Sequence, residues 1–87
     1  MRLDKYLKNT RLIKRRPLAK RAADEDRIKV NGQLAKAGTQ VEIGDEIEIT
    51  FGRTIITVRV KDIKDIVRKE EAMELYELIK EERIEVE

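Results

Sequence analysis

Residues 46–60 constrain this chain more than any other stretch. Ile47, Ile49 and Phe51 alternate with polar neighbours, Gly52-Arg53 turns the chain, and Ile56, Val58 and Val60 alternate again. A period of two puts apolar side chains on one face of extended backbone, which a helix does not do. The stretch therefore predicts two strands with one wet face and one apolar face, and the apolar face must be covered by something else. Upstream, Arg27-Ile28-Lys29-Val30 alternates as well. Asn31-Gly32 follows, and then Gln33-Leu34-Ala35-Lys36. Asn-Gly between two short runs is the strongest local hairpin signal, because both turn positions need positive φ. Gly44-Asp45 marks a further tight turn.

The cover must come from the rest of the sequence. Residues 2–10 predict a short helix, with Leu3 and Leu7 four apart and Tyr6 beside them. Pro17 fits the first position of a second helix, where its missing N–H costs nothing. That helix is expected to run to about residue 24, with i,i+4 pairs Leu18/Ala22 and Ala19/Ala23. The alanines allow close approach to a neighbour, and Leu12 and Ile13 anchor the short loop between the helices. From about residue 65 the pattern turns helical again. Ile66, Val67, Met73, Tyr76 and Ile79 share a stripe, with Lys69, Glu70, Glu71, Glu74, Glu77, Lys80 and Glu81 opposite. The expected fold class is α+β: two short N-terminal helices packed on a small, mostly antiparallel twisted sheet, plus a C-terminal amphipathic helix. The expected organisation is a domain over residues 1–64, with the helix of residues 65–87 packed on it. A chain of 87 residues buries only about 60% of its unfolded surface, so the core is modest.

Charge is divided along the chain. Residues 1–38 hold twelve Lys or Arg against four Asp or Glu, a net of +8, while the remainder carries eight against fourteen, a net of −6. The overall +2 hides a molecule with a cationic end and an anionic end. A cationic end of this density suits a polyanion such as RNA.

Several classes of function are excluded by composition. There is no Cys, His, Ser or Trp. Disulfides, thiolate or imidazole zinc sites, serine triads and histidine proton shuttles are all impossible. The chain is expected to be neither an enzyme nor a binder of cofactor or metal. Its apolar runs are too short to cross a bilayer and residues 1–17 lack an uninterrupted apolar core, so a cytosolic protein with no membrane partner is expected.

The candidate RNA-binding residues are Arg2, Lys5, Arg11, Lys14, Arg15, Arg16 and Lys20. Phosphates need several donors in a fixed pattern, and Arg adds bidentate geometry. Charged runs also serve merely as solvated faces, but there the acids are usually interspersed, whereas here they lie elsewhere. Asn31 and Gly32 are explained as a hairpin turn, with an additional backbone contact to RNA as the functional alternative. Asp4 is expected to cap the first helix or orient Arg16 rather than to catalyse. The aromatics Tyr6, Phe51 and Tyr76 all fit apolar stripes, so core packing is expected and a base-stacking platform is not. That favours recognition of the shape and backbone of folded RNA.

With these residues in view, the chain resembles a known family. The order Arg2-Leu3-Asp4-Lys5-Tyr6-Leu7, Lys14-Arg15-Arg16-Pro17-Leu18-Ala19, Ile28-Lys29-Val30-Asn31-Gly32 and Val41-Glu42-Ile43-Gly44-Asp45-Glu46-Ile47 is similar to the RNA-binding domain first seen in small-subunit ribosomal protein S-four, the αL motif. The match covers roughly residues 1–49. Arg15 stands where the family usually has Ser, and Asp26 stands where a Gly is usual. Among free-standing versions, the chain resembles the small bacterial factors of ribosome-associated quality control. It is less like the heat-shock relatives of about fifteen kilodaltons, whose C-terminal region is more basic. The resemblance implies a protein that binds large ribosomal subunit rRNA and the P-site peptidyl-tRNA on obstructed large subunits, and that supports tailing of the stalled chain by a NEMF-type tailing factor; a monomer is expected. Carried over by position, Arg2, Arg11, Lys14, Arg15, Arg16 and Lys20 would hold phosphates, Arg16 foremost. A heat-shock-type large-subunit or assembly protein stays open, as do a protein-interaction module acting through its C-terminal helix and a fragment of an RNA-modifying enzyme.

Overall fold

In the computed structural model, which describes residues 1–85, the alternation of residues 46–60 forms the centre of a sheet. Strand β3 (Glu46–Phe51) and strand β4 (Thr54–Val60) pair antiparallel around Gly52-Arg53, with Ile47 opposite Val58 and Ile49 opposite Ile56. Strand β1 (Ile28–Val30) lies on the other side of β3, setting Ile28 against Ile49 and Val30 against Ile47. Strand β2 (Gln33–Leu34) folds back on β1 through Asn31-Gly32, whose φ values of 52° and 82° are those that the two-residue turn requires. Asn31 is well suited to that conformation, since its side chain also ties the turn to the sheet. Its Oδ1 accepts from the Glu46 amide at 2.9 Å, and its Nδ2 donates to Asp45 Oδ1 at 3.1 Å.

Two helices cover the apolar face, as the sequence led us to expect. Helix α1 (Leu3–Asn9) buries Leu3, Tyr6 and Leu7. Arg2, just before the helix, makes no capping side-chain bond; the Lys5 amide donates to the Asp4 carboxylate at 2.8 Å, and the Leu3 and Asp4 amides donate to the Thr39 and Ala37 carbonyls at 2.8 and 3.1 Å. The Val41 amide in turn donates to the Met1 carbonyl at 2.8 Å. The loop before β3 thus does the work of a cap, satisfying donors that a helix start leaves free. Helix α2 (Arg16–Asp24) has Pro17 in its first turn and packs through Ala19 and Ala23, which are buried, while Leu18 is 49% exposed. Ile13 seals the loop between the helices. The core joins these residues to Ile28, Val41, Ile47, Ile49, Val58 and Val60.

The C-terminal part departs from expectation. In place of an amphipathic α-helix from residue 65, a 3-10 helix (Lys69–Leu75) leads into an eight-residue strand β5 (Tyr76–Arg83). This strand pairs antiparallel with β4, with an irregularity between Thr57 and Val58, and completes a sheet of order β2-β1-β3-β4-β5. A 3-10 helix has three residues per turn, so Ala72 and Leu75 fall on one edge and both are buried. The helical stripe does not exist as a buried face: Ile66 is 89% exposed and Met73 76% exposed. The edge of β4 otherwise leaves its backbone donors and acceptors unpaired, and pairing them outweighs the helical preference of residues 76–83. The last two residues of the expected helix, 86 and 87, lie outside the described part.

Candidate nucleic-acid interface

The helical layer carries nearly all of the candidate cations, and one acid organises two of them. Asp4 sits on α1 with its side chain only 7% exposed. Arg2 Nε lies 3.3 Å from its Oδ1, and Arg16 Nη2 lies 3.2 Å from its Oδ2. The Lys5 amide donates to the same Oδ1 at 2.8 Å. The carboxylate is thereby saturated, while the two arginine side chains stay half open at 53% and 44% exposure. Each guanidinium has five N–H donors in a planar fork, so those facing away from Asp4 remain available to a phosphate. Two cations held on one anion give a local surplus of positive charge at fixed orientation.

The other candidates differ in how free they are. Lys5 Nζ reaches Asp65 at 3.1 Å, and Lys20 Nζ reaches Asp24 at 3.1 Å one helical turn along. Both pairs are exposed, so they hold their cations weakly and a phosphate can replace either carboxylate. Arg11, Lys14 and Arg15 have no carboxylate within salt-bridge distance among the described residues. They occupy the loop between α1 and α2 and its junction with α2. Arg11 and Lys14 line one concavity together with Lys8, Asn9 and Val67.

Asn31 and Gly32 lie apart from this group. Their neighbours are Asp45 and Glu46, and they line a shallow depression with Lys29, Glu48, Thr57 and Lys80 on the other face of the sheet from the helices. The Asn31 amide group is already used within the fold. Among the aromatics, Tyr6 is fully buried and its hydroxyl donates to the Leu75 carbonyl at 2.7 Å. Burial, followed by the nearby Tyr76 and Asp62, raises its pKa well above the ordinary tyrosine value. Tyr76 is half-buried. Phe51 does not join the core as expected; it is 39% exposed and shares an open groove with Leu18 and Ile13. No described helix is long and apolar enough to cross a membrane.

Comparison with known proteins bears on this arrangement. A family model described as S4 domain matches residues 1–47, which hold α1, α2, β1, β2 and all nine candidate residues. The chain belongs to the S4 domain family. It is 58% identical over 84 residues to a Halalkalibacterium halodurans protein named RQC P-site tRNA stabilizing factor, covering 97% of this chain and 96% of that protein. A Bacillus subtilis protein of the same name is 52% identical over 84 residues, covering 97% and 98%. Among solved structures, Heat Shock Protein 15 of Vibrio cholerae, described as trimeric, superposes with a TM-score of 0.83 at 37% identity, covering 90% of this chain and 80% of that one.

The S4 domain match makes the Asp26 departure informative. Asp26 adopts φ 60°, a left-handed conformation that a glycine takes without strain, and its carboxylate lies 3.5 Å from Lys36 Nζ. Lys8, which is not among the candidate residues, lines the same hollow as Arg11 and Lys14. It lies in the last turn of α1, and residue 67 returns to that helix end to complete the concave surface.

Proposed function

We propose that this protein is a non-enzymatic RNA-binding factor of ribosome-associated quality control. It binds large-subunit rRNA and the P-site peptidyl-tRNA on obstructed large subunits, and it supports C-terminal tailing of the stalled chain by a NEMF-type factor. The observation that carries the reading is the Arg2–Asp4–Arg16 cluster, in which a buried acid orients two half-open guanidiniums. Names of relatives that are more than half identical over nearly the full length supply the P-site tRNA and the quality-control setting. The phosphate-binding residues are Arg2, Lys5, Arg11, Lys14, Arg15, Arg16 and Lys20, with Asn31 and Gly32 as a peripheral backbone contact. The protein works as a monomer, which light scattering checks directly; a trimer in solution contradicts this point.

The test is recovery of tagged protein from cells, with its bound RNA and proteins identified. Large subunits that carry tRNA, together with a tailing factor, support the reading. Whole ribosomes or unrelated RNA overturn it. A second reading, a heat-shock-type protein that binds or helps assemble large subunits, draws on the TM-score of 0.83 to Heat Shock Protein 15. It is favoured if large subunits are recovered without tRNA.

A further inference from the structure

We propose that the open edge of β5 is a docking strand for a protein partner, to which an extended segment bearing Lys or Arg adds beside residues 80–84. This goes beyond the RNA-binding reading above and uses none of the residues assigned to RNA there.

The two edges of the sheet are unlike. Strand β2 closes one side with only two residues, too short to template another strand. On the other side β5 has eight residues, no strand lies beyond it among the described residues, and residues 77–83 are all exposed. The ladder with β4 decides which backbone groups are open. The Ile84 amide donates to the Arg53 carbonyl at 2.6 Å. In an antiparallel pair, residues that bond across the pair alternate with residues that turn their backbone groups outward. Glu82, opposite Ile55, therefore bonds to β4, while Glu81 and Arg83 present N–H and C=O to the open side. The irregularity between Thr57 and Val58 interrupts the ladder further back, so residues 80–84 are the regular stretch on offer. The usual protections of an edge are weak there. The stretch has no Pro, and the charge of its one lysine is answered by Glu82, 2.7 Å from Lys80 Nζ.

Charge selects the occupant. Residues 69–85 hold seven Glu against three Lys or Arg. Glu70, Glu74, Glu81 and Glu85 have no cation within salt-bridge distance among the described residues. A strand that carries Lys or Arg meets these carboxylates favourably. RNA meets repulsion, and a second copy of β5 brings the same acids against them. Leu78, opposite the buried Val58, is exposed, and so is Ile84. Apolar residues between the partner's cations therefore add contact. The fitting segment alternates basic and apolar residues, with backbone bonds giving affinity and side chains giving choice.

The experiment follows amide hydrogen exchange in the full chain, with a short synthetic peptide of alternating Lys and Val as the probe. The Glu81 and Arg83 amides are expected to exchange quickly in the free protein and to become protected by the peptide. The Glu82 and Ile84 amides, bonded to β4, stay protected throughout. Glu81→Gln is expected to lower peptide affinity by up to about fivefold, the worth of one exposed ion pair. Glu81→Pro removes an outward N–H and is expected to abolish the protection of Arg83, while the Ile84 amide and Tm report that the pairing with β4 survives. Unchanged exchange at Glu81 and Arg83 with millimolar peptide overturns the proposal. Equal protection by a peptide of alternating Glu and Val, or by an RNA duplex, overturns the basic occupant. Protection of the same amides that rises with protein concentration, without peptide, overturns it in favour of a second copy. None of these results depends on Arg16, so the RNA-binding reading is tested separately.

Discussion

Asp4 places a negative charge in the most basic part of the molecule, so its removal separates two accounts of that surface. If charge density alone bound RNA, Asp4→Asn would tighten binding. If the carboxylate orients Arg2 and Arg16, the same substitution weakens binding despite the added positive charge. We expect the second outcome in an RNA-affinity titration, with a stability loss of about 1–2 kcal/mol from the broken hydrogen bonds. Asp26→Gly should raise stability by up to about 1 kcal/mol by relieving the left-handed strain, read as an increase in Tm. Tyr6→Phe removes the hydroxyl donor to the Leu75 carbonyl, which keeps the Lys61 and Asp62 amides at 2.8 and 3.2 Å, and should cost up to about 1 kcal/mol. The pKa of Tyr6 is raised in the folded state. Above the ordinary tyrosine value near 10 the unfolded chain therefore holds fewer protons, and the wild type loses stability as pH rises beyond it. The Tyr6→Phe variant lacks that component, and denaturant titrations across alkaline pH measure the difference. Much at this scale was legible beforehand. Asn31-Gly32 needs positive φ whatever surrounds it, and an acid at residue 4 among arginines needs a partner. The hollow beside Lys8 was not legible, because nothing in the local sequence tells that residue 67 returns there.

Elements formed from strict alternation were legible, and the element defined by a looser period was not. Residues 46–60 have one apolar face as strands and none as helix, so tertiary context had nothing to override. Residues 65–83 offered apolar residues at mixed spacings. There the outcome depended on the open edge of β4, which lies at a distance in sequence and accepts a fifth strand. The consequence is that the C-terminal segment is part of the fold. Leu75 is 1% exposed and is the point at which the 3-10 helix meets the core. Leu75→Ala should cost about 2–5 kcal/mol in chemical denaturation. A chain cut after residue 64 loses Leu75, the acceptor for Tyr6 and all of β5, and should show no cooperative thermal transition by circular dichroism. A shortened chain that melts cooperatively with the wild-type Tm contradicts this description of β5.

For the whole molecule, the charge division seen in the sequence becomes a division between a cationic helical layer and a sheet whose far strand and exposed face are rich in glutamate. Glu46, Glu48, Glu77 and Glu82 find partners in Lys29, Arg59 and Lys80 on that face. The cations of the α1–α2 loop find none among the described residues. Salt-dependent attraction should therefore act through one side of the protein, the side we propose for RNA. The most direct measurement is the salt dependence of binding to large ribosomal subunits carrying P-site tRNA, for the wild type and for Arg2→Gln/Arg16→Gln. The double variant should bind more weakly with its log–log slope reduced by about 1–2. Equal affinity and an equal slope in the two proteins would contradict the assignment of the Arg2–Asp4–Arg16 cluster as the centre of the interface.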